Sequence, residues 1–175
     1  MKYLPNILLI AGTGKKVGKT TLGCNILSSH TDKGIIAVKI SPHFHSMPTD
    51  RVYIIKNNRY HISEENKKTG KDSSKFLQAG AKKVYYIQGK DDSLATAFEE
   101  VLGLNDSTSL YLVESGGLAG YIKPGLFIAV TNSNHSAKPD KNLSLADILV
   151  DENIAFGPFA KRVCVNGGKW ALTRT

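Results

Sequence analysis

The chain has 175 residues, of which 41% are hydrophobic and 22% are charged. This length and composition predict a single domain over residues 1–175 with a sizeable core, and they exclude an array of repeats or a low-complexity chain. Lysine and arginine total 23 against 15 aspartates and glutamates, and the resulting net charge of +8 favours anionic partners.

The chain contains two cysteines, Cys24 and Cys164, so a disulfide framework is not expected. The segment before the first apolar run is too short for a signal peptide, and no apolar run reaches the length that spans a membrane. We therefore expect a cytoplasmic protein without a membrane partner.

The first predicted elements are a buried strand over Ile7–Ala11 and a helix over Thr20–Ser29. Between them and into the helix the chain reads Gly12-Thr13-Gly14-Lys15-Lys16-Val17-Gly18-Lys19-Thr20-Thr21. The N–H groups of such a loop and of the next helix N-terminus bind polyphosphates. This pattern predicts a phosphate-binding loop (P-loop), with Lys19 at the β- and γ-phosphates and the Thr20 hydroxyl as a Mg²⁺ ligand.

The loop departs from the strict pattern at one position, because Thr13 stands where glycine is required five residues before Gly18. The alternative is a glycine-rich turn with solvent-facing lysines. The order of strand, loop and helix favours the phosphate-binding interpretation.

Further elements alternate along the chain between short apolar strands and helices. Strands are predicted over Ile35–Ile40, Lys83–Gln88, Leu110–Val113, Leu126–Val130 and Ala146–Val150, with helices from Asp72 or Ser73 to about Ala79 and from Asp92. A β-hairpin is predicted at about 52–63 around Asn57-Asn58, and a second at the C-terminus around Asn166-Gly167-Gly168.

This alternation predicts an α/β fold of the P-loop NTPase class, with a mostly parallel, doubly wound sheet flanked by helices. The hairpin at about 52–63 is an insertion in that pattern. Ligands bind at the carboxyl ends of the strands in such sheets. The P-loop, the segment Lys39–His45 and the segment that begins at Glu114 are therefore expected to share one crevice.

Glu114 ends a buried-type strand, where a carboxylate facing the P-loop can hold a nucleotide-bound Mg²⁺. A solvated strand end is the alternative. Lys39 also lies near the end of a buried strand, where a lysine requires an anion such as a nucleotide. His43 and His45 follow it, either as functional groups or as surface residues. No zinc spacing is present.

The chain resembles the MobB family of GTP-binding adaptor proteins in molybdopterin guanine dinucleotide biosynthesis. The resemblance covers roughly residues 5 to 155. It lies in the P-loop Gly18-Lys19-Thr20-Thr21-Leu22, in Val38-Lys39 with His43 and His45, in Thr69-Gly70-Lys71-Asp72-Ser73 with Ala79-Gly80-Ala81, and in Ala146-Asp147-Ile148-Leu149-Val150.

The resemblance implies GTP and Mg²⁺ at the P-loop, slow hydrolysis, and action beside the nucleotidyltransferase that joins a guanine nucleotide to molybdopterin. It also favours a homodimer. Lys19, Glu114 and Lys39 are the expected catalytic residues. We expect Lys71, Asp72 and Ser73, together with His43 and His45, on the molybdopterin or partner side of the crevice, where a helix N-terminus suits a phosphate.

Two other functions stay open. The loop with Gly12-Thr13-Gly14 is also similar to that of dethiobiotin synthetases, which implies an ATP-dependent ligase or kinase acting on a small acid. A regulatory nucleotide-binding module is the third interpretation. Nucleic acid is not expected as a partner, because no basic helix or aromatic-studded basic strand set is present.

The base preference between GTP and ATP is open as well. A guanine-reading Asn-Lys-x-Asp motif is missing, and Ala137-Lys138-Pro139-Asp140 keeps only its Lys-x-Asp part. The loop Asp151-Glu152-Asn153, directly after a predicted strand, is the other candidate for the base edge.

Overall fold

The computed structural model of the protein describes residues 1–14, 16–46, 52–66, 72–132 and 142–173. The strands are β1 (Lys2–Gly12), β2 (Ile36–Ser41), β3 (Tyr53–Lys56), β4 (Tyr60–Glu64), β5 (Lys83–Gly89), β6 (Tyr111–Glu114), β7 (Ile122–Thr131), β8 (Ile148–Asp151), β9 (Val163–Asn166) and β10 (Lys169–Leu172). The α-helices are α1 (Lys19–Ser28), α2 (Asp72–Gln78), α3 (Leu94–Gly103) and α4 (Phe156–Ala160).

Eight strands form one mixed sheet in the order β3-β4-β5-β2-β6-β1-β7-β8. The six strands from β5 to β8 are parallel, whereas β4 runs antiparallel to β5 and β3 antiparallel to β4. The expected α/β fold with a mostly parallel sheet and an inserted hairpin is confirmed. The carboxyl ends of β1, β2 and β6 lie side by side, and these are the strands that carry the predicted site residues.

Helices cover both faces of the sheet, and each face has its own hydrophobic core. One core packs α3 against the sheet through Leu94, Phe98 and Val101. The other packs α1, α2, α4 and the β9–β10 hairpin against the opposite face. Because alternate strand residues enter both cores, the central strands are apolar along their length, as buried parallel strands are. Within the described residues, no helix is long and apolar enough to cross a bilayer.

Both predicted hairpins are confirmed, but their turns differ. Gly167 and Gly168 have φ angles of 56° and 74°, which suit a tight turn with left-handed residues. In the 52–63 hairpin, the Asn57 side chain accepts hydrogen bonds from the N–H groups of Arg59 and Tyr60, both at 2.9 Å. This turn therefore depends on a side-chain acceptor, and neither Asn57 nor Asn58 has a positive φ.

Several predicted boundaries were wrong. β1 begins at Lys2, five residues before the predicted start, because Lys2, Tyr3 and Leu4 pair with the extended start of β7. A 3₁₀ turn occupies residues 91–93, so α3 begins at Leu94 and not at Asp92. The sequence analysis also missed α4, whose Pro158 lies in the first helical turn, where a missing N–H removes no helical hydrogen bond.

Candidate functional site

The loop between β1 and α1 passes close to β7. The Thr13 N–H donates to the Val130 carbonyl at 3.1 Å, and the Thr13 hydroxyl accepts a hydrogen bond from the Asn132 N–H at 3.3 Å. A Cβ at Gly12 would lie 2.7 Å from the Val130 carbonyl oxygen, so this close approach requires glycine. Val17 is buried in the core and fixes the far side of the loop.

The loop enters α1 through a left-handed residue. Gly18 is the N-cap, with a φ of 91°, and a Cβ there would lie 2.7 Å from the Phe156 ring of α4. Among the described residues no side chain caps the helix at Gly18, and its first turn contains no acidic residue. The N-terminal N–H groups and the positive end of the helix dipole therefore suit an external anion.

Lys19 folds back over the loop, and its ammonium donates a hydrogen bond to the Gly14 carbonyl. Lys19 also lines the cavity described below.

Glu114, Thr20 and Lys39 form a compact polar triad. Glu114 Oε2 accepts a hydrogen bond from Thr20 Oγ1 at 2.8 Å, and Glu114 Oε1 accepts one from Lys39 Nζ at 2.9 Å. Lys39 Nζ also lies 3.4 Å from Thr20 Oγ1. The two charged side chains are largely buried, with 18% of Lys39 and 8% of Glu114 exposed. The anion expected beside Lys39 is therefore, in this structure, the Glu114 carboxylate.

The triad lines a cavity of about 500 Å³ at the carboxyl edge of the sheet. Its lining residues are Lys16, Gly18, Lys19, Thr20, Thr21, Lys39, Lys75 and Glu114. Four ammonium groups thus face one carboxylate, which gives the lining a formal charge of +3. A cavity of this charge favours a polyanion.

The residues at the triad fit a Mg²⁺ ion. Octahedral Mg²⁺ binds oxygen at about 2.1 Å, so neighbouring ligand atoms lie about 2.9 Å apart. Thr20 Oγ1 and Glu114 Oε2 are hard oxygen donors at 2.8 Å from one another. Within the described residues no group of three or more His, Cys, Asp or Glu could hold a metal. A metal at the triad would thus need phosphate or water oxygens for its remaining positions.

Lys75 is a cavity residue that the sequence analysis missed. It lies on α2, where Phe76 packs so closely on Gly23 of α1 that a Cβ at Gly23 would lie 2.8 Å from the ring. This helix contact brings the neighbouring Lys75 to the cavity. The sequence placed Lys75 in a short predicted helix, but it did not indicate that this helix packs against α1.

His43 and His45 do not line the cavity. Both are exposed, and their rings stand edge to face with centroids 6.5 Å apart. His45 Nε2 lies 3.1 Å from the Ser41 hydroxyl, and the His45 carbonyl accepts a hydrogen bond from Gln88. A third histidine, His61, lies in the same region on β4. Burial, and then the charge of Lys56, lower the pKa of His61 below 6.5.

Ser73 does not face the cavity either. It is buried, and its hydroxyl donates to the buried Glu65 carboxylate at 2.8 Å. A second anion at this position would be repelled by Glu65, which disfavours the expected phosphate contact of Ser73. Lys15, Lys71 and the side chain of Asp72 lie outside the described residues.

The loop that follows β8 adjoins the loop between β1 and α1 through α4. The Asn153 N–H and side-chain amide both donate to Asp151 Oδ1, at 2.9 and 2.7 Å, and the Glu152 N–H donates to the Thr131 carbonyl. These bonds shape the loop that ends in Phe156, the residue packed on Gly18. The other candidate for base recognition, residues 137–140, lies outside the described residues.

Comparison with known proteins adds no family assignment, because no family model, curated protein or solved structure matches the chain.

Proposed function

We propose that this protein binds a purine nucleoside triphosphate with Mg²⁺ and hydrolyses it slowly. The observation that carries this proposal is the cavity in which Lys19, Lys39 and two further lysines face a single Glu114–Thr20 pair at the start of α1. A triphosphate matches the positive lining, and the Thr20 and Glu114 oxygens match its metal ion.

The chain's own groups have distinct roles in such a complex. The Lys19 ammonium leaves the Gly14 carbonyl and contacts the β- and γ-phosphates, while Lys16 and the N–H groups at the start of α1 hold the phosphate oxygens. Thr20 and Glu114 would hold Mg²⁺, which would supply neutralisation of the phosphate charge. Lys39 and Lys75 also line the cavity and would stabilise charge that develops on the terminal phosphate during hydrolysis.

Slow turnover is what the resemblance to the MobB family implies, and the described lining residues of the cavity agree with it. Among its described lining residues, Glu114 is the only carboxylate, and there is no histidine. Because Glu114 serves the metal, these lining residues supply no general base for an attacking water. Charge stabilisation without a positioned base supports binding and weak hydrolysis more than rapid catalysis.

We further propose a biological role as a GTP-binding accessory protein in molybdopterin guanine dinucleotide synthesis, acting as a homodimer beside the nucleotidyltransferase. This role depends on the sequence resemblance to the MobB family. The exposed β3 edge of the sheet is one surface that a second copy of the chain could extend.

Calorimetric titration of the freshly purified protein with GTP and ATP, with and without Mg²⁺, tests the proposal. We expect Mg²⁺-dependent binding with GTP preferred, and slow hydrolysis that changes when molybdopterin or the nucleotidyltransferase is added. Absence of triphosphate binding would overturn the proposed function. Rapid ATP turnover only with a small carboxylic acid present would indicate the synthetase-like alternative instead.

A further inference from the structure

The pairing of Lys39 with Glu114 is built into the sheet. The two residues are direct register partners on the neighbouring parallel strands β2 and β6. Lys39 Nζ lies 2.9 Å from one carboxylate oxygen of Glu114, and Thr20 Oγ1 lies 2.8 Å from the other. The ammonium therefore neutralises the carboxylate that the proposed function assigns to the metal.

In the nucleotide-free site, the same ammonium lies close enough to the metal position to repel a bound metal ion strongly. A Mg²⁺ ion at about 2.1 Å from Thr20 Oγ1 would lie at most about 5.5 Å from Lys39 Nζ, because Nζ is 3.4 Å from that oxygen. At this distance the repulsion between a divalent and a monovalent cation is strong enough, even at an effective dielectric constant of about 20, to reduce affinity more than tenfold.

We propose that Lys39 is a positioning residue that keeps Mg²⁺ out of the nucleotide-free site and admits it only together with a triphosphate. Without nucleotide, the Lys39 ammonium is paired with the Glu114 carboxylate. When the triphosphate binds, its terminal phosphate offers Lys39 another anionic partner, and Glu114 becomes available to the metal. This inference rests on the metal site of the proposed function and adds the order in which its ligands enter.

The charge of the cavity supports this exchange. With Glu114 neutralised by Lys39, the lining still carries three further lysines, Lys16, Lys19 and Lys75, which attract the triphosphate but repel a free divalent cation. The structure thus favours a triphosphate or its Mg²⁺ complex over the metal alone as the first ligand.

Mn²⁺ binding measured by electron paramagnetic resonance on nucleotide-free protein tests the proposal, with Lys39→Met and Lys75→Met as a matched pair. Both substitutions remove one positive charge from the cavity, but in the structure Lys39 is the one in contact with Glu114. We expect Lys39→Met to raise the Mn²⁺ affinity at least about tenfold and Lys75→Met less than about threefold. Lys39→Arg, which keeps the charge, is expected to stay near the wild type.

The melting temperature of each variant with and without Mg²⁺ is a second measurement, which compares each variant with itself. Lys39→Met leaves Glu114 buried without its cation, so Mg²⁺ alone should raise the melting temperature of this variant but not that of the wild type. If Lys39→Met does not fold, Lys39→Gln replaces it. Equal Mn²⁺ affinities of the Lys39 and Lys75 variants would overturn the inference.

The measurements distinguish a failure of the proposed function from a failure of this inference. If the wild type binds no GTP while Lys39→Met still gains Mn²⁺ affinity, the lysine competes with the metal but the site does not serve a nucleotide. If the wild type binds Mg²⁺ and GTP and the Lys39 variant gains no affinity for the metal, the proposed function stands and the exchange is wrong. Glu114→Gln, which removes the carboxylate, should lower Mn²⁺ binding in both backgrounds.

Discussion

Lys39→Met and Glu114→Gln, made singly and together, measure how strongly the buried pair holds the nucleotide-free site. In Lys39→Met, the Glu114 carboxylate, which is 8% exposed, keeps Thr20 as its partner within the triad. In Glu114→Gln, the Lys39 ammonium, which is 18% exposed, lies beside a neutral amide. Hydrogen bonds to charged groups contribute about 1.5–3 kcal/mol, so each single variant should lose about 2–3 kcal/mol of unfolding free energy.

The double variant should lose less than the sum of its parts. With both charges removed, neither buried group is left uncompensated, and we expect a total loss of about 2 kcal/mol or less. The coupling energy from the double-mutant cycle is then at least about 2 kcal/mol. Urea unfolding followed by circular dichroism, without nucleotide or Mg²⁺, gives all four free energies.

A matched control is present in the same chain. Lys33 and Asp32 form an ion pair with the same N···O distance of 2.9 Å, but their side chains are 44% and 71% exposed. Solvent screening should hold the coupling of this pair close to zero. A coupling of the Lys39–Glu114 pair as small as that of the control would refute the conclusion that burial makes this contact strong.

Four other predictions concern the site and its surroundings. Lys19→Ala should lower triphosphate affinity at least about tenfold in calorimetry while the circular dichroism spectrum stays native, and unchanged affinity would remove the P-loop interpretation. Glu114→Gln should lower hydrolysis under saturating Mg²⁺ by a larger factor than it lowers GTP affinity, and wild-type hydrolysis would make Glu114 a structural residue only. Gly18→Ala should cost about 1–3 kcal/mol in urea unfolding, because a left-handed alanine there also meets Phe156, and a neutral effect would contradict that packing. Because the folded-state pKa of His61 is lowered, its contribution to stability is present above pH 6.5 and lost as the pH falls through the lowered pKa. His61→Gln should therefore flatten the decline of stability below pH 6.5, and an identical decline in both proteins would refute this.

Local patterns in the sequence predicted most of the sheet, since apolar runs such as Ile35–Ile40 correspond to central strands. The strand segments that were missed depend on distant partners. Residues 2 to 6 include polar residues and a proline, and they are strand because β7 lies beside them. Similarly, α4 was missed because Gly157 and Pro158 are helix breakers in most positions, whereas in the first turn they are tolerated.

The site residues also fall into those that local patterns predict and those that depend on tertiary packing. Lys19, Thr20 and Glu114 were placed together because a motif and the carboxyl-edge rule for parallel sheets identify them. Lys75 and the Glu65 partner of Ser73 were not predictable, because both depend on how α2 packs. The buried pairing of Lys39 with Glu114 required the register of β2 on β6, which no local pattern encodes.

The position of β1 in the middle of the sheet has a consequence for synthesis. This strand is made before its two neighbours β6 and β7, which begin only at Tyr111 and Ile122. At about 5–20 residues per second, roughly 5–20 s pass before β1 has its first sheet partner. During that interval the run Ile7–Ile10, fully buried in the finished fold, is exposed to solvent and to other nascent chains. Nascent chains that stop before β7 is complete should therefore aggregate or recruit chaperones, because the sheet around β1 forms only after β6 and β7 have been made.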